Sequence, residues 1–255
     1  MIHKSAIIHE TAKIGKDVEI GPWSIIGADV EIGDGTWIGP HVVISGPTKI
    51  GTNNKIYQFA SVGEDSQDKK FVGQNAWLEI GNDNVIREFC TINRGSLEGS
   101  KTIIGNENLF MAYVHIAHDC IVGNSTIFAN NATLAGHVTV DDFAILSGFS
   151  GSFQFCHIGK HAFLSMGAQV EKDVLPFVKV AGFKAKPYGL NTVGMKRRGF
   201  ASETMLNLRR AYKAVYREGL TVKKALVQLE NMVSDCPEVQ MFIDFIENSE
   251  RGLVR

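Results

Sequence analysis

Residues 14–49 read IGKDVE, IGPWSI, IGADVE, IGDGTW, IGPHVV and ISGPTK, six consecutive hexads that each begin with isoleucine. The same phase runs from Ile8 to Val62 and returns between Ile80 and Val170 with few interruptions. Neither an α-helix nor a β-hairpin repeats every six residues, so this is an internal structural repeat. It predicts a parallel β-helix with three short faces, in which three hexads make one coil and each aliphatic side chain points into the core.

Two other hexad positions fit this interpretation. A glycine often follows the aliphatic residue, as at Gly15 and Gly33, where we expect a tight corner that favours a residue without a Cβ. The fifth position is small, and it holds Cys90, Cys120 and Cys156. We therefore expect these thiols to be buried and to form neither disulfides nor a metal site.

The hexad register is interrupted where Asp68, Gln74 and Glu98 occupy aliphatic positions. We expect loops that leave the prism near residues 64–78 and 94–102. Loops on a rigid scaffold often carry substrate-contacting groups, although a solvated insertion without a role is the alternative.

The apolar spacing becomes helical near the C-terminus. The sequence predicts a β-helical domain over residues 1–186 and a small helical domain over residues 187–255. Ser202 is the predicted N-cap of one helix, a second follows Thr221, and Pro237 opens a third.

The overall composition excludes several classes of protein. The chain has 255 residues, 44% of them hydrophobic, and a formal net charge of −1. This size allows a substantial core, and the balanced charge argues against general nucleic-acid binding. Residues 1–12 lack the pattern of a signal peptide, and no apolar run approaches membrane-spanning length. We expect a soluble protein of the cytoplasm.

Basic residues are concentrated in one stretch. Residues 184–224 contain eleven Lys and Arg, but only Glu203 and Glu218 as acidic residues. This excess predicts contact with an acidic partner or a phosphate, whereas a solvated helix face is the plainer interpretation.

The coil length predicts which polar side chains meet. His118, Gly136 and Gln154 are spaced by one coil, so they should stack in one outward-facing column about 5 Å apart. A histidine base, an unobstructed glycine N–H and a polar amide suit acyl transfer. A zinc site needs three converging ligands, and His118 has no acidic or histidine partner two coils away in its column. We expect no metal, and a zinc-dependent carbonic anhydrase is the alternative.

Several longer motifs carry a resemblance to a known family. Residues 116–120 read IAHDC, residues 129–137 read ANNATLAGH, and residues 196–200 read KRRGF. With residues 56–60, 66–68 and the closing 251–255, they closely resemble the bacterial acyl-[acyl-carrier-protein]:UDP-N-acetylglucosamine O-acyltransferases of lipid A biosynthesis. These are hexapeptide-repeat enzymes, so the resemblance implies a left-handed coil.

The resemblance also implies roles for particular residues. His118 would be the general base that activates the glucosamine 3-hydroxyl, and the Gly136 N–H would bind the oxyanion. The matching positions for contacts with sugar, nucleotide, acyl chain or carrier are Asp68, Lys70, His115, His137, Gln154, Asn191, Arg197 and Arg198. The implied substrates are UDP-N-acetylglucosamine and a 3-hydroxyacyl group on acyl carrier protein. The family acts as a homotrimer with sites between subunits, and it needs no metal or organic cofactor.

Some positions depart from the family pattern. Phe153, Lys184 and Val193 stand where the family usually has other residues, so an acyltransferase acting on a 3-amino sugar nucleotide remains an alternative. A non-catalytic trimeric scaffold is another. A sister family that acylates an amine carries an extra N-terminal domain, and hexads beginning by Ile8 favour O-acylation. Met166 stands where the family often has a small residue, and we expect it to restrict the acyl chain to medium length, near 3-hydroxydecanoyl.

Overall fold

The computed structural model describes all residues from 1 to 255 and consists mainly of three parallel sheets. Successive strands of each sheet lie one coil apart, so that Ile7 pairs with Ile25 and His115 with Thr133. Because the chain visits the three sheets in regular rotation as far as Val170, it forms a three-sided prism. The predicted parallel β-helix with 18-residue coils is confirmed.

The strands are mostly two residues long. The first sheet contains β1 (Ile7–Ile8), β4 (Ile25–Ile26), β7 (Val43–Ile44), β10 (Ser61–Glu64), β13 (Thr91–Asn93), β16 (His115–Ile116), β19 (Thr133–Leu134), β22 (Gly151–Ser152) and β25 (Gln169–Val170). The second contains β2 (Lys13–Ile14), β5 (Val30–Ile32), β8 (Thr48–Ile50), β11 (Trp77–Ile80), β14 (Lys101–Ile104), β17 (Ile121–Val122), β20 (Thr139–Val140) and β23 (His157–Ile158). The third contains β3 (Glu19–Ile20), β6 (Trp37–Ile38), β9 (Lys55–Ile56), β12 (Val85–Ile86), β15 (Leu109–Phe110), β18 (Ile127–Phe128), β21 (Ile145–Leu146), β24 (Phe163–Leu164), β26 (Val178–Ala181) and β27 (Lys186–Leu190).

The hexad aliphatics fill the centre of the prism. Ile38, Ile44 and Ile56 are fully buried, and the rings of Phe110 and Phe128 contact each other with centroids 5.1 Å apart. This continuous apolar column makes the prism a rigid support for the side chains on its outer corners.

Two excursions leave the prism, over residues 65–76 and 94–100. The first raises the separation of paired strands from 18 residues to 30, as between Ser61 and Thr91, and the second raises it to 24, as between Thr91 and His115. Both insertions are multiples of six residues. The hexad phase therefore continues through them unchanged.

The glycine after the aliphatic residue is required for a different reason than expected. Left-handed backbone occurs two residues later in the hexad, for example at Asp17 and Asp29. At Gly33, a Cβ would lie 2.6 Å from the backbone of Gly51 in the next coil. Close approach between coils, and not corner geometry, excludes larger residues there.

The four cysteines are free and buried, as expected for the three at the fifth hexad position. Burial raises the pKa of the Cys90 and Cys120 thiols to about 12. These thiols are therefore not reactive nucleophiles at neutral pH.

Strand pairing continues past the boundary predicted at residue 186, because β27 pairs antiparallel with β26. The helical part contains α1 (Thr192–Arg197), α2 (Ser202–Tyr216), α3 (Val222–Glu230), a short 3-10 helix (Pro237–Val239) and α4 (Gln240–Glu247). Thr221 caps α3 through its side chain. The prediction for Ser202 is wrong, because Ala201 occupies the N-cap position of α2 without a side-chain bond.

None of the helices is long and apolar enough to span a membrane.

One histidine is buried at the corner between the second and third sheets. The ring of His161 stacks between Phe143 and Phe177, at centroid distances of 4.8 and 5.1 Å. Burial lowers the pKa of His161 to about 4, and the positive charges of Arg198 and Lys160 act in the same direction. The imidazole is therefore neutral in the folded chain at pH 7.

This histidine should make the fold sensitive to acid. In the unfolded chain His161 binds a proton near pH 6.5, whereas in the folded chain it does so only near pH 4. The stability that depends on neutral His161 is therefore fully present above pH 6.5. As the pH drops from there to 4, the free energy of unfolding falls by up to roughly 3 kcal/mol. We expect His161→Phe to reduce this loss, measured by urea unfolding at pH 7.5 and pH 4.5. The exposed His9→Phe serves as the control, and an unchanged pH dependence in His161→Phe would contradict the prediction.

Candidate active site

His118 lies at the corner between the first and second sheets, just after β16, and only 14% of its side chain is exposed. Its Nδ1 is 2.8 Å from Oδ2 of Asp119. Because an ionised carboxylate can only accept, Nδ1 carries the hydrogen and Nε2 keeps a free lone pair. His118 is thus oriented as a base, with Nε2 available to a substrate.

Asp119 is bound by several donors besides His118. Ser96 donates to Oδ2 through its hydroxyl at 2.6 Å and through its backbone N–H at 3.2 Å. Burial raises the pKa of Asp119, but hydrogen bonds from Ser100, Ser96 and His118 lower it by more, so the pKa lies below its ordinary value. The carboxylate is therefore ionised at neutral pH.

Gly136 lies against the His118 ring, one coil along the prism, as the spacing predicts. A Cβ at this position would lie 2.5 Å from Cε1 and 2.6 Å from Nε2 of His118. Gly136 is buried, and its N–H finds no acceptor within the chain. A free backbone donor beside the base is the arrangement that stabilises a developing oxyanion.

Two further histidines border this corner. His115 Nδ1 is 2.7 Å from Thr91 Oγ1, and burial, followed by the charge of His118, lowers the pKa of His115. His137 meets the His118 ring edge-on at 5.2 Å and stacks on Phe155 at 4.6 Å. His137 thus packs against the base, and His115 lies close enough to it for the charge of His118 to act on the His115 pKa.

Gln154 is exposed and lines an open cavity of about 500 Å³ on the first sheet. The floor of this cavity contains Gly151, and Phe149 and Phe153 contribute to its lining. Met166 is 73% exposed in the single chain. This volume is in the range of small-molecule sites, and the lining includes Ala135, the residue before Gly136, but not His118 itself.

The remaining predicted residues lie elsewhere. Asp68 and Lys70 sit on the first excursion, where the Lys70 N–H donates to Asp68 Oδ1, and no hydrogen bond or ion pair joins either side chain to His118. Asn191 caps α1 and donates to His161 O. Arg198 lies over the Phe143 ring at 3.9 Å, and its neighbour Arg197 is exposed.

These residues occupy two corners of the prism. His118 and Gly136 lie between the first and second sheets, whereas Phe143 and Arg198 lie at the corner between the second and third. One chain therefore does not bring Asn191, Arg197 and Arg198 to the base.

A cluster of potential metal ligands coincides with the base. Ligand atoms of His118, Asp119 and His137 lie within 4.8 Å of one another. The spacing of His118 within its own column does not reveal this cluster, because Asp119 and His137 stand in the adjacent column. Nδ1 of His118 and Oδ2 of Asp119 already share a hydrogen bond, so an ion bound through these two atoms would have to replace it.

Comparison with known proteins decides the family. Residues 173–254 match the family described as "Udp N-acetylglucosamine O-acyltransferase; Domain 2", and residues 29–64 and 101–136 match "Bacterial transferase hexapeptide (six repeats)". The acyl-[acyl-carrier-protein]–UDP-N-acetylglucosamine O-acyltransferase of Pseudomonas fluorescens Pf-5 is 54% identical over 100% of this chain and 99% of its own. The chain belongs to the UDP-N-acetylglucosamine O-acyltransferase family. The counterpart from Thiobacillus denitrificans is 52% identical with the same coverage.

Solved structures of the family agree. The UDP-N-acetylglucosamine O-acyltransferase of Moraxella catarrhalis is 45% identical with a TM-score of 0.97, covering 100% of this chain and 99% of its own. The acyltransferase of Bacteroides fragilis is 40% identical with a TM-score of 0.98, covering all of both chains. The resemblance stated from sequence motifs is confirmed, and so is the fold class, a left-handed parallel β-helix with a small helical part. The chain is an enzyme, an O-acyltransferase.

Proposed function

We propose that this enzyme transfers a 3-hydroxyacyl chain of medium length from acyl carrier protein to the glucosamine 3-hydroxyl of UDP-N-acetylglucosamine, the first step of lipid A biosynthesis. The names of the relatives support both substrates. The observation that carries the mechanism is the His118 ring, tied to Asp119 on one side and lying against Gly136 on the other.

The transfer follows from this geometry. Nε2 of His118 takes the proton of the 3-hydroxyl as the sugar oxygen attacks the thioester carbonyl, and the Gly136 N–H donates to the oxyanion that forms. Asp119 holds the imidazole in the correct tautomer and stabilises its positive charge. When the intermediate collapses, the C–S bond breaks and the imidazolium returns its proton to the departing thiolate. No step needs a metal, so chelation should leave the rate unchanged.

The distribution of the other residues supports a homotrimer. Asn191, Arg197 and Arg198 lie at a different corner from His118, so a second copy would have to supply them to each site. Asp68 and Lys70 would contact the sugar, His115 and His137 would lie beside the sugar and acyl groups, and Gln154 would line the substrate cleft at the cavity. The basic residues of 184–224 would receive the acidic carrier protein. We place the reaction in the cytoplasm.

Substitution of Gly136 by alanine tests the contact with the base. The new methyl group would overlap the His118 ring, which cannot move freely because Asp119 holds it. We expect kcat to fall about ten- to a hundredfold with the fold intact, measured by steady-state kinetics. The control is Gly27→Ala, where the nearest atom to a new Cβ is 3.2 Å away. Full activity in Gly136→Ala would contradict the close packing of ring and backbone.

A mass-spectrometric transfer assay tests the function itself. The enzyme is offered UDP-N-acetylglucosamine or its 3-amino analogue, each with 3-hydroxyacyl carrier proteins from short to long. We expect product on the hydroxyl sugar with a medium chain. Product only on the amine would instead assign the enzyme to 3-amino sugars, and no product with any pair would favour a scaffold.

A further inference from the structure

Ser96 stands on the second excursion, outside the regular coils, yet it reaches the catalytic corner. It is buried, and both its hydroxyl and its backbone N–H donate to Oδ2 of Asp119. The same oxygen accepts from Nδ1 of His118 at 2.8 Å. Ser96 therefore supplies two of the hydrogen bonds that fix the atom to which the base is tied.

The loop that carries Ser96 is itself held firmly. The Gly99 N–H donates to Asn75 O at 2.9 Å, and the Asn75 N–H donates to Glu98 Oε2 at 3.0 Å, which joins the two excursions. The Gly95 N–H donates to Trp77 O in β11. Since residues on both sides of Ser96 are anchored, its hydroxyl has a fixed position.

Asp119 has an alternative partner that makes this fixation matter. Nε2 of His137 lies only 3.6 Å from the same Oδ2. The backbone of Asp119 is held by its N–H bond to Thr102 Oγ1, but this bond does not fix the intrinsically broad torsion of the carboxylate, which depends on the side-chain hydrogen bonds from Ser100 and Ser96. The two bonds from Ser96 hold Oδ2 toward His118.

We propose that Ser96 is a positioning residue that acts through Asp119 to keep His118 aligned with the acceptor hydroxyl. This inference rests on the proposed function, because it assigns Ser96 a part in that reaction. The excursion is then more than a support for sugar contacts, because it completes a chain of contacts from Ser96 to Asp119 to His118. An ordinary buried serine would contribute only to stability.

The test compares Ser96→Ala, Ser96→Thr, Asp119→Ala and the double variant Ser96→Ala/Asp119→Ala in the transfer assay. We expect Ser96→Ala to lower kcat about tenfold with little change in KM, since a supporting hydrogen bond and not a substrate contact is lost. Ser96→Thr, which keeps the hydroxyl, should restore most of the rate. In the Asp119→Ala background the further loss of Ser96 should change kcat less than twofold, because the two residues act as a unit.

The control is Ser24→Ala, which removes a buried hydroxyl bonded to Gly39 O in an early coil. It should keep full kcat even if its melting temperature falls. Equal kcat in Ser96→Ala and wild type, or losses that multiply in the double variant, would overturn the inference while leaving the proposed function intact. If the wild type transfers no acyl group, the proposed function fails. A crystal structure of Ser96→Ala then decides the inference separately: Asp119 rotated away from His118 supports it, and an unchanged contact overturns it.

Discussion

Replacing His118 by alanine is expected to lower kcat by about 10²- to 10⁴-fold, the range that a positioned general base contributes. The structure gives three reasons. The ring is 14% exposed, Asp119 fixes its tautomer through a 2.8 Å bond, and its Nε2 lies on the side of the free Gly136 N–H. His157 also hydrogen-bonds a carboxylate, but only His118 does so while its ring lies against Gly136.

The measurement is steady-state kinetics with UDP-N-acetylglucosamine and a 3-hydroxyacyl carrier protein, together with circular dichroism to verify folding. His9→Ala is the matched control, because His9 is exposed and its side chain bonds only to Thr11. The binding of both substrates should persist in His118→Ala, since binding groups are untouched. Undiminished turnover in this variant would remove His118 from the mechanism and revive the scaffold interpretation.

The sequence predicted those parts of the site that depend on regular coils. His118 and Gly136 lie in a stretch where paired strands are separated by 18 residues, so counting along the chain places them side by side. The prediction succeeds because the apolar core forces the same register on every coil. The excursions preserve it, since each adds a multiple of six residues.

The same counting could not find Asp119 or Ser96 as partners of the base. Asp119 follows His118 directly, but it has left-handed backbone, so its side chain turns back toward His118. Ser96 reaches the corner from an excursion whose path follows from loop contacts and not from the repeat. The motif IAHDC at residues 116–120 contained the signal for Asp119, because a carboxylate beside a candidate base is a common partner. Nothing in the hexad pattern signals Ser96.

Replacing Met166 by glycine is expected to shift the preferred acyl chain from about ten carbons toward fourteen. Met166 is 73% exposed in the single chain, so its side chain extends outward from the prism one residue before the turn at Gly167. It is thus available to close the end of an acyl groove formed with a second copy. Each methylene that gains burial contributes roughly 0.8 kcal/mol, so four of them amount to about 3 kcal/mol, or a change in selectivity of more than a hundredfold.

The measurement is the ratio of kcat/KM for 3-hydroxydecanoyl and 3-hydroxymyristoyl carrier proteins. Met166→Leu, of similar volume, is the control and should keep the preference of the wild type. The alternative is that the flexible Met166 side chain folds aside for a longer acyl chain and does not limit its length. In that case Met166→Gly would leave the ratio unchanged, and the limit on chain length would have to come from other side chains, such as Phe149 and Phe153 of the cavity. If Met166→Gly instead reverses the ratio and leaves the rate with the 3-hydroxydecanoyl carrier unchanged, the limit on acyl length is assigned to the Met166 side chain. This follows because steric exclusion acts only on the acyl carbons that reach that side chain.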